Sequence, residues 1–255
     1  MKKPVTVIGM GEMGGVFARG FLKCGHPVYP VTRQTDLAKL PAEWAVSAAV
    51  VVAVGEKDLG ATLSVVPAQW QDRIVLLQNE LLPKDWQAMG LQDPTVVSVW
   101  FEKKQPNDYK VIIPSPVFGP NSQLIVDALA ALNIPTKICA DADELLLELI
   151  LKNLYIVTTN VCGLKVGGTV GELWADHLDL TKRVADEVLD IQFKLAGKEF
   201  DRDRLMEAMH AAFEGDRQHK CMGRSAPARL ERALRQAAEF ALPVETLKDI
   251  SLVQK

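Results

Sequence analysis

Apolar residues follow two different rhythms along this chain. Over the first half, short and often β-branched runs at residues 4–8 (PVTVI), 27–32, 48–54, 73–78, 95–100, 109–114 and 136–140 alternate with segments such as 123–132, whose apolar spacing is helical. Short continuous apolar runs suit strands buried on both faces, and their alternation with helices predicts a mostly parallel sheet covered by helices. Beyond Asp141 the strand-like runs stop. Asp141 or Asp143 can cap a helix through Glu144 to about Asn160, and further helices are expected at 172–195, 202–214 and 226–240. Residues 214–226 are the expected mobile loop. The pattern predicts an α/β domain over residues 1–140 and an all-α domain over 141–255.

The first strand-to-helix junction carries the sharpest motif. Directly after the 4–8 run come Gly9, Met10, Gly11, Glu12, Met13 and Gly14, a G-x-G-x-x-G spacing, then Gly15 and an amphipathic segment through Phe17, Phe21 and Leu22. Gly25-His26 ends that segment, and the 27–32 run follows. Strand, glycine turn, helix and strand in this order make a Rossmann-type βαβ unit with a parallel sheet. The first glycine allows the tight turn, the second lets the backbone approach a pyrophosphate, and the third lets helix and strand pack closely. The anion would sit at the helix N-terminus, where unpaired N–H groups and the helix dipole favour it. Gly9, Gly11, Glu12, Met13 and Gly14 are therefore candidate cofactor contacts, with the Glu12 side chain directed to solvent. A glycine-rich turn that merely packs a sheet is the alternative.

The residue after the second strand bears on which nicotinamide is held. A carboxylate there would bind the ribose 2′-hydroxyl of NAD, whereas an arginine accommodates the 2′-phosphate of NADP. This run ends Val31-Thr32-Arg33, and the first carboxylate, Asp36, is three residues further on. Arg33 points to NADP, because a guanidinium can grip a phosphate with two charge-assisted hydrogen bonds. The competing reading is an ordinary solvated loop arginine.

Composition narrows the classes. With 255 residues, 48% hydrophobic and 24% charged, the chain has the balance of a globular protein with ample core. A formal net charge of −3 and no long basic block give no support to nucleic-acid or membrane-surface binding. The N-terminus runs straight into a strand, so no signal peptide is expected, and no run of about eighteen apolar residues is evident. Cys24, Cys139, Cys162 and Cys221 lack any C-x-x-C spacing. They read as free thiols in a reducing cytoplasm, with no metal site.

Residues 144–162 (ELLLELILKNLYIVTTNVC) are apolar nearly all round, which implies a buried helix. Lys152 and Asn160 interrupt it. Eight residues at roughly 100° each leave them about 80° apart around the axis and about two turns apart along it, with Ile156 between them and Thr159 on the same side. An ammonium inside such a helix must reach a polar cleft or a partner. In a cleft it can serve the reduction of a ketone, which creates an alkoxide that needs a proton donor and positive charge nearby. A lysine that snorkels to the surface is the plain alternative.

Lys152, then seven residues, Asn160, then ten, then Gly171-Glu172-Leu173 resembles the signature of the ketopantoate reductase family, within the 6-phosphogluconate dehydrogenase-like superfamily. The resemblance extends to the glycine turn, Arg33, Gln78-Asn79 after a strand and Phe118-Gly119-Pro120 before a helix, and so covers most of the chain. It implies NADPH-dependent reduction of a 2-oxo acid, with Lys152 as general acid, Asn160 as a substrate-binding asparagine and Asn79 near the nicotinamide and substrate. A strand-end amide can offer both a donor and an acceptor, although Asn79 also suits a plain turn. A homodimer through the helical domain is a further expectation of the resemblance.

The chain departs from the family at three points. Ile156 stands where a second asparagine is usual, Glu80 replaces the glycine of a Gln-Asn-Gly turn, and no glutamate matches the one that follows a serine after the second long helix. Lys220, Arg224 or Ser225 could bind a substrate carboxylate instead. The hydroxyisobutyrate-type dehydrogenases share the Gly-Met-Gly-x-Met-Gly turn, but their lysine is followed four residues on by asparagine, which Ile156 argues against. Two functional classes follow: a cytoplasmic NADPH-dependent reductase of a 2-oxo acid or related small carbonyl compound, or an NADPH-binding sensor or regulatory protein that has lost catalysis.

Overall fold

The computed structural model of the chain describes residues 2–39, 44, 46–105 and 108–253. It divides into two compact units, residues 1–145 and 146–255.

The first unit begins with β1 (Val5–Ile8), α1 (Glu12–Lys23), β2 (Val28–Val31), β3 (Val50–Val52), α2 (Glu56–Leu63) and β4 (Ile74–Leu76). It continues through α3 (Pro83–Ala88), β5 (Thr95–Val97), β6 (Phe101–Gln105), β7 (Asp108–Val111), β8 (Ser115–Phe118), α4 (Ser122–Ala130) and β9 (Thr136–Ile138). Seven strands form one sheet in the order β2-β1-β3-β4-β5-β8-β9. Every neighbouring pair is parallel except β5 and β8. The β1, β3 and β4 runs are wholly buried, as strands covered on both faces must be. On one face Phe17 and Phe21 of α1 pack with Ile125, Ala128 and Leu129 of α4 over Val5, Val7 and Val51. Each fully buried aromatic there is worth about 1.5–3 kcal/mol.

The 109–114 run does not join this sheet. It forms β7, which pairs with β6 in a separate antiparallel hairpin. The sheet strand is the next one, β8, which carries Pro116 and so does not read as a central strand. Its proline is tolerated because Pro116 falls opposite Ser98, past the end of β5, where the N–H it lacks interrupts no bond within that strand, while its carbonyl still accepts the Ser98 N–H at 2.9 Å.

In the second unit, α5 (Ala142–Val166), which starts within the first, is followed by α6 (Val170–Asp176), α7 (Leu178–Ala196), α8 (Arg202–Gly215), α9 (Ala226–Glu239) and α10 (Glu245–Val253). The helix expected at 172–195 is two helices. His177, at φ −130° and ψ 32°, ends α6 and precedes α7, and the Thr181 hydroxyl ties the junction by donating to the His177 carbonyl. Helix α10 has no counterpart in the expected pattern. Its opening N–H groups, those of Thr246 and Leu247, donate to the Glu187 carboxylate of α7 at 2.7 and 2.9 Å, a cap supplied from 59 residues away.

Two further expectations are corrected. The 214–226 segment is held rather than loose: Val170 and Gly171 N–H donate to the carbonyls of His219 and Arg217, and Cys221 N–H donates to Gly168. Helix α5 is long and apolar enough to cross a membrane by length and composition, yet 89% of its most apolar stretch is buried in the structure.

Candidate functional site

In the first unit the glycine turn links the carboxyl end of β1 to α1. Gly9 has φ +91°, and a Cβ on it would lie 2.7 Å from the Ala53 carbonyl oxygen of the neighbouring strand end. A Cβ on Gly14 would lie 1.9 Å from the Gly9 oxygen, so the turn closes only around glycine at both positions. Gly11 is the contrast: nothing lies within 4 Å of where its Cβ would be. It is the N-cap of α1, no side chain caps the helix there, and the first backbone bond of the turn is Gly15 N–H to the Gly11 carbonyl. The N–H groups of the first turn have no acceptor within the helix.

A cavity of about 940 Å³ opens here, at the carboxyl ends of β1, β2 and β3. Such sheets bind ligands outside their strand ends, where the chain order reverses, and β1 lies between β2 and β3. Gly9, Gly11 and Arg33 line the cavity. Arg33 is exposed, in a tight turn in which Thr35 N–H donates to the Thr32 carbonyl and Thr32 N–H to the Thr35 hydroxyl. Asp36 is outside the lining and pairs with Lys39 at 3.3 Å.

Three expected contacts do not line the cavity. Glu12 is exposed, Met13 packs its side chain on the core and Gly14 is buried. A position in the first helical turn offers its backbone to the mouth of the site while its side chain follows the helix periodicity elsewhere. Asn79 is half-buried beyond β4 and also outside this lining. Its neighbours explain the turn: the Gln78 amide donates to the carbonyls of Val52 and Val54 and accepts the Leu77 N–H, bracing the ends of β3 and β4. Glu80 takes φ +58°, the left-handed conformation a glycine would adopt without strain. Asp58 and Thr62 of α2 line the cavity and went unnoticed in the sequence. The signal for them was a second strand–glycine–helix junction, Val52-Ala53-Val54-Gly55 ahead of α2.

In the second unit, Lys152 and Asn160 are each only 8% exposed, and Ile156 between them is as buried. The Asn160 Oδ1 accepts from Arg229 Nη1 of α9 at 3.0 Å. Thr159 is not offered outward: its hydroxyl donates back to the Tyr155 carbonyl at 2.8 Å. Asn153 Nδ2 donates to Gln192 Oε1 at 2.8 Å, a buried tie between α5 and α7. Neither Arg229 nor Gln192 could be paired with α5 from sequence spacing, because contacts across 69 and 39 residues leave no periodic trace.

The Gly171-Glu172-Leu173 motif has a structural explanation. Glu172, the third residue of α6, closes a capping box with the N-cap Thr169, whose N–H donates to its carboxylate at 2.8 Å. A Cβ on Gly171 would lie 2.9 Å from the Arg217 carbonyl oxygen. That close approach holds the 216–222 segment down. Lys220, Arg224 and Ser225 are exposed. The segment carrying them lies on α5 one turn beyond Asn160, since a Cβ on Gly163 would meet the Cβ atoms of Cys221 and Met222 at 2.9 and 3.0 Å. Burial, with a smaller effect of Cys221, pushes the Cys162 thiol up to about 12, and burial with Glu172 nearby pushes Cys221 up to about 11. Both are protonated, inert thiols near neutral pH. No cluster of three or more metal-ligating side chains exists among the described residues.

A mostly parallel sheet with a glycine turn opening into a cleft at its strand ends, followed by a helical unit, defines a Rossmann-type architecture. Ketopantoate reductases are among the solved structures that this chain resembles, and it has their fold along nearly its whole length. It is similar to 2-dehydropantoate 2-reductase from Methylococcus capsulatus, at 14% identity over 98% of this chain and 95% of that one, with a TM-score of 0.70. It is also similar to a dimeric ketopantoate reductase from Staphylococcus aureus, at 16% identity over 97% and 96%, with a TM-score of 0.67. A D-mandelate dehydrogenase in complex with NADH matches at 11% identity over 97% and 96%, with a TM-score of 0.66. No protein-family model matches the sequence, and no curated protein matches it.

Proposed function

We propose that this protein is an NADPH-dependent reductase of a 2-oxo acid or related small carbonyl compound, working in the cytoplasm as a homodimer. The observation that carries the reading is the open, uncapped N-terminus of α1 behind Gly11, facing a cavity with Arg33 on its wall. This cradle fits a dinucleotide. Gly11 leaves room for a pyrophosphate to approach the backbone, the first-turn N–H groups supply its donors, and Arg33 supplies a fork for a 2′-phosphate.

Bound NADPH supplies the hydride that reduces the carbonyl carbon. As the carbonyl oxygen gains charge, the Lys152 ammonium gives it a proton, forming the hydroxyl and leaving a neutral amine that solvent reprotonates. Asn160 and Asn79 hold the substrate in place. The ketopantoate reductases and the mandelate dehydrogenase that share the fold work on 2-oxo or 2-hydroxy acids by name, which favours that substrate class.

The test is a parallel equilibrium titration with NADPH and NADH, followed by nicotinamide fluorescence. NADPH is expected to bind at least tenfold tighter, about 1.4 kcal/mol. Equal affinities would remove the role of Arg33, and binding of neither would reduce the glycine turn to a packing device. Tight NADPH binding with no turnover on a carbonyl panel would favour the sensor reading, which Ile156 and Glu80 motivate.

A further inference from the structure

One wall of the cavity in the first unit has a chemistry of its own. Asp58, Ala61, Thr62 and Val65 all line it, and offsets of three, four and seven residues put them on one face of α2 and the turn that continues it. The Val65 N–H still donates to the Thr62 carbonyl, so the helical path reaches that far. The Thr62 hydroxyl donates its hydrogen to the Asp58 carbonyl at 2.8 Å, which leaves only lone pairs for anything else. Ala61 and Val65 add hydrocarbon, and Val65 is 60% exposed. The side chains of this wall therefore offer acceptors and apolar surface, and no donor. Among the described residues, nothing forms a hydrogen bond or ion pair with the Asp58 carboxylate. The helix dipole favours an acid in the first turn of α2, but Glu56 supplies that charge as well, and of the two only Asp58 lines the cavity.

We propose that this wall is the subsite for the adenine base, with the Asp58 carboxylate accepting from the exocyclic amino group and so selecting adenine over 6-oxo purines. The inference rests on the dinucleotide reading and deepens it by naming the residue that reads the base. The sheet decides which half of a dinucleotide is concerned. The lining comes from the ends of β1, β2 and β3 and the residues that follow them, and the ribose 2′-position belongs at the end of the second strand. Asn79, expected near the nicotinamide, lies outside that lining. The cavity thus suits the adenosine half. Arg33 and Asp58 carry opposite charges in this one cavity, and among the described residues they form no ion pair with each other. A ligand that answers both must bring an anion to the first and a donor to the second, as a 2′-phosphorylated adenosine does. Adenine presents an amino group at its 6-position, whereas guanine carries an oxygen there, as hypoxanthine does. That oxygen would meet the carboxylate as a second acceptor, with no hydrogen between them.

NADPH and reduced nicotinamide hypoxanthine dinucleotide phosphate differ only in the purine, a 6-amino against a 6-oxo group, and make the test. Each is titrated into the full chain and followed by nicotinamide fluorescence, which needs no turnover. The parent is expected to bind the hypoxanthine form at least about tenfold more weakly. Asp58→Asn can turn either its oxygen or its amide hydrogens to the base, and is expected to bring the two affinities within about threefold of each other. Asp58→Ala should do the same by removing the polar group altogether. The ratio of the two affinities is the readout, because loss of a negative charge favours any anionic dinucleotide. Equal affinities in the parent would overturn the proposal and leave the dinucleotide reading in place. A preference that survives in both variants would overturn the role of Asp58, since another group would then be reading the base. Binding of neither ligand would remove the dinucleotide reading and this subsite with it.

Discussion

The glycine turn of the first unit and the α5 face of the second are both candidate chemistry, but they are built in opposite ways. Around Gly9, Gly11 and Gly14 the site is made of backbone, and each residue matters for the side chain it lacks. Along α5 it is made of side chains whose orientation is set by partners far away in sequence, such as Arg229 for Asn160. A backbone site needs a fixed local spacing, which a sequence displays. A side-chain site needs tertiary partners, which it does not.

The comparison can be broken most severely at Lys152. If α5 carries the proton donor, Lys152→Ala lowers kcat by about 10²–10⁴-fold and leaves the affinity for NADPH unchanged, since the cradle belongs to the other unit. Stopped-flow turnover beside a fluorescence titration reads both quantities. Near-normal turnover would show that the buried lysine is a packing feature.

The next largest effect separates the three glycines. Gly14→Ala forces a methyl toward an oxygen 1.9 Å away, so the turn must open. A loss of about 1–3 kcal/mol in stability is expected from such overpacking, together with loss of NADPH binding. Gly11→Ala meets nothing within 4 Å, so its melting temperature should scarcely move while NADPH affinity falls at least tenfold. Calorimetric melting and titration of both variants decide this. If Gly11→Ala binds NADPH normally, no pyrophosphate approaches the backbone there.

The same contrast explains what could be read in advance. The strands β1, β3 and β4, the turn and α1 were legible because burial on both faces and glycine geometry are local demands. Strand β8 was not, because Pro116 argues against a central strand and its acceptability depends on where Ser98 falls. The division of α6 from α7 at His177 and the existence of α10 depend on caps, one of them supplied by Glu187 from another helix. Within the candidate site, Lys152 and Asn160 were found by their polarity inside an apolar helix. Arg229 and Asp58 were missed, for an arginine or aspartate on an amphipathic helix looks like any solvated charge until its neighbours are known.

The smallest expected effect lies at Glu80, where the two kinds of construction meet. Its backbone does what a glycine would do, at φ +58°, yet it keeps a charged side chain beside Asn79. A non-glycine residue in this conformation costs roughly 1–2 kcal/mol, and the extra freedom a glycine brings to the unfolded chain returns about 0.4–1 kcal/mol of that. Glu80→Gly should therefore raise the melting temperature by no more than about 3–6 °C. It also removes a negative charge from the turn that carries Asn79, so NADPH should bind somewhat more tightly. A lower melting temperature would mean that the Glu80 side chain makes contacts worth more than the strain of its backbone, and the position would then belong with α5, as a residue chosen for its side chain.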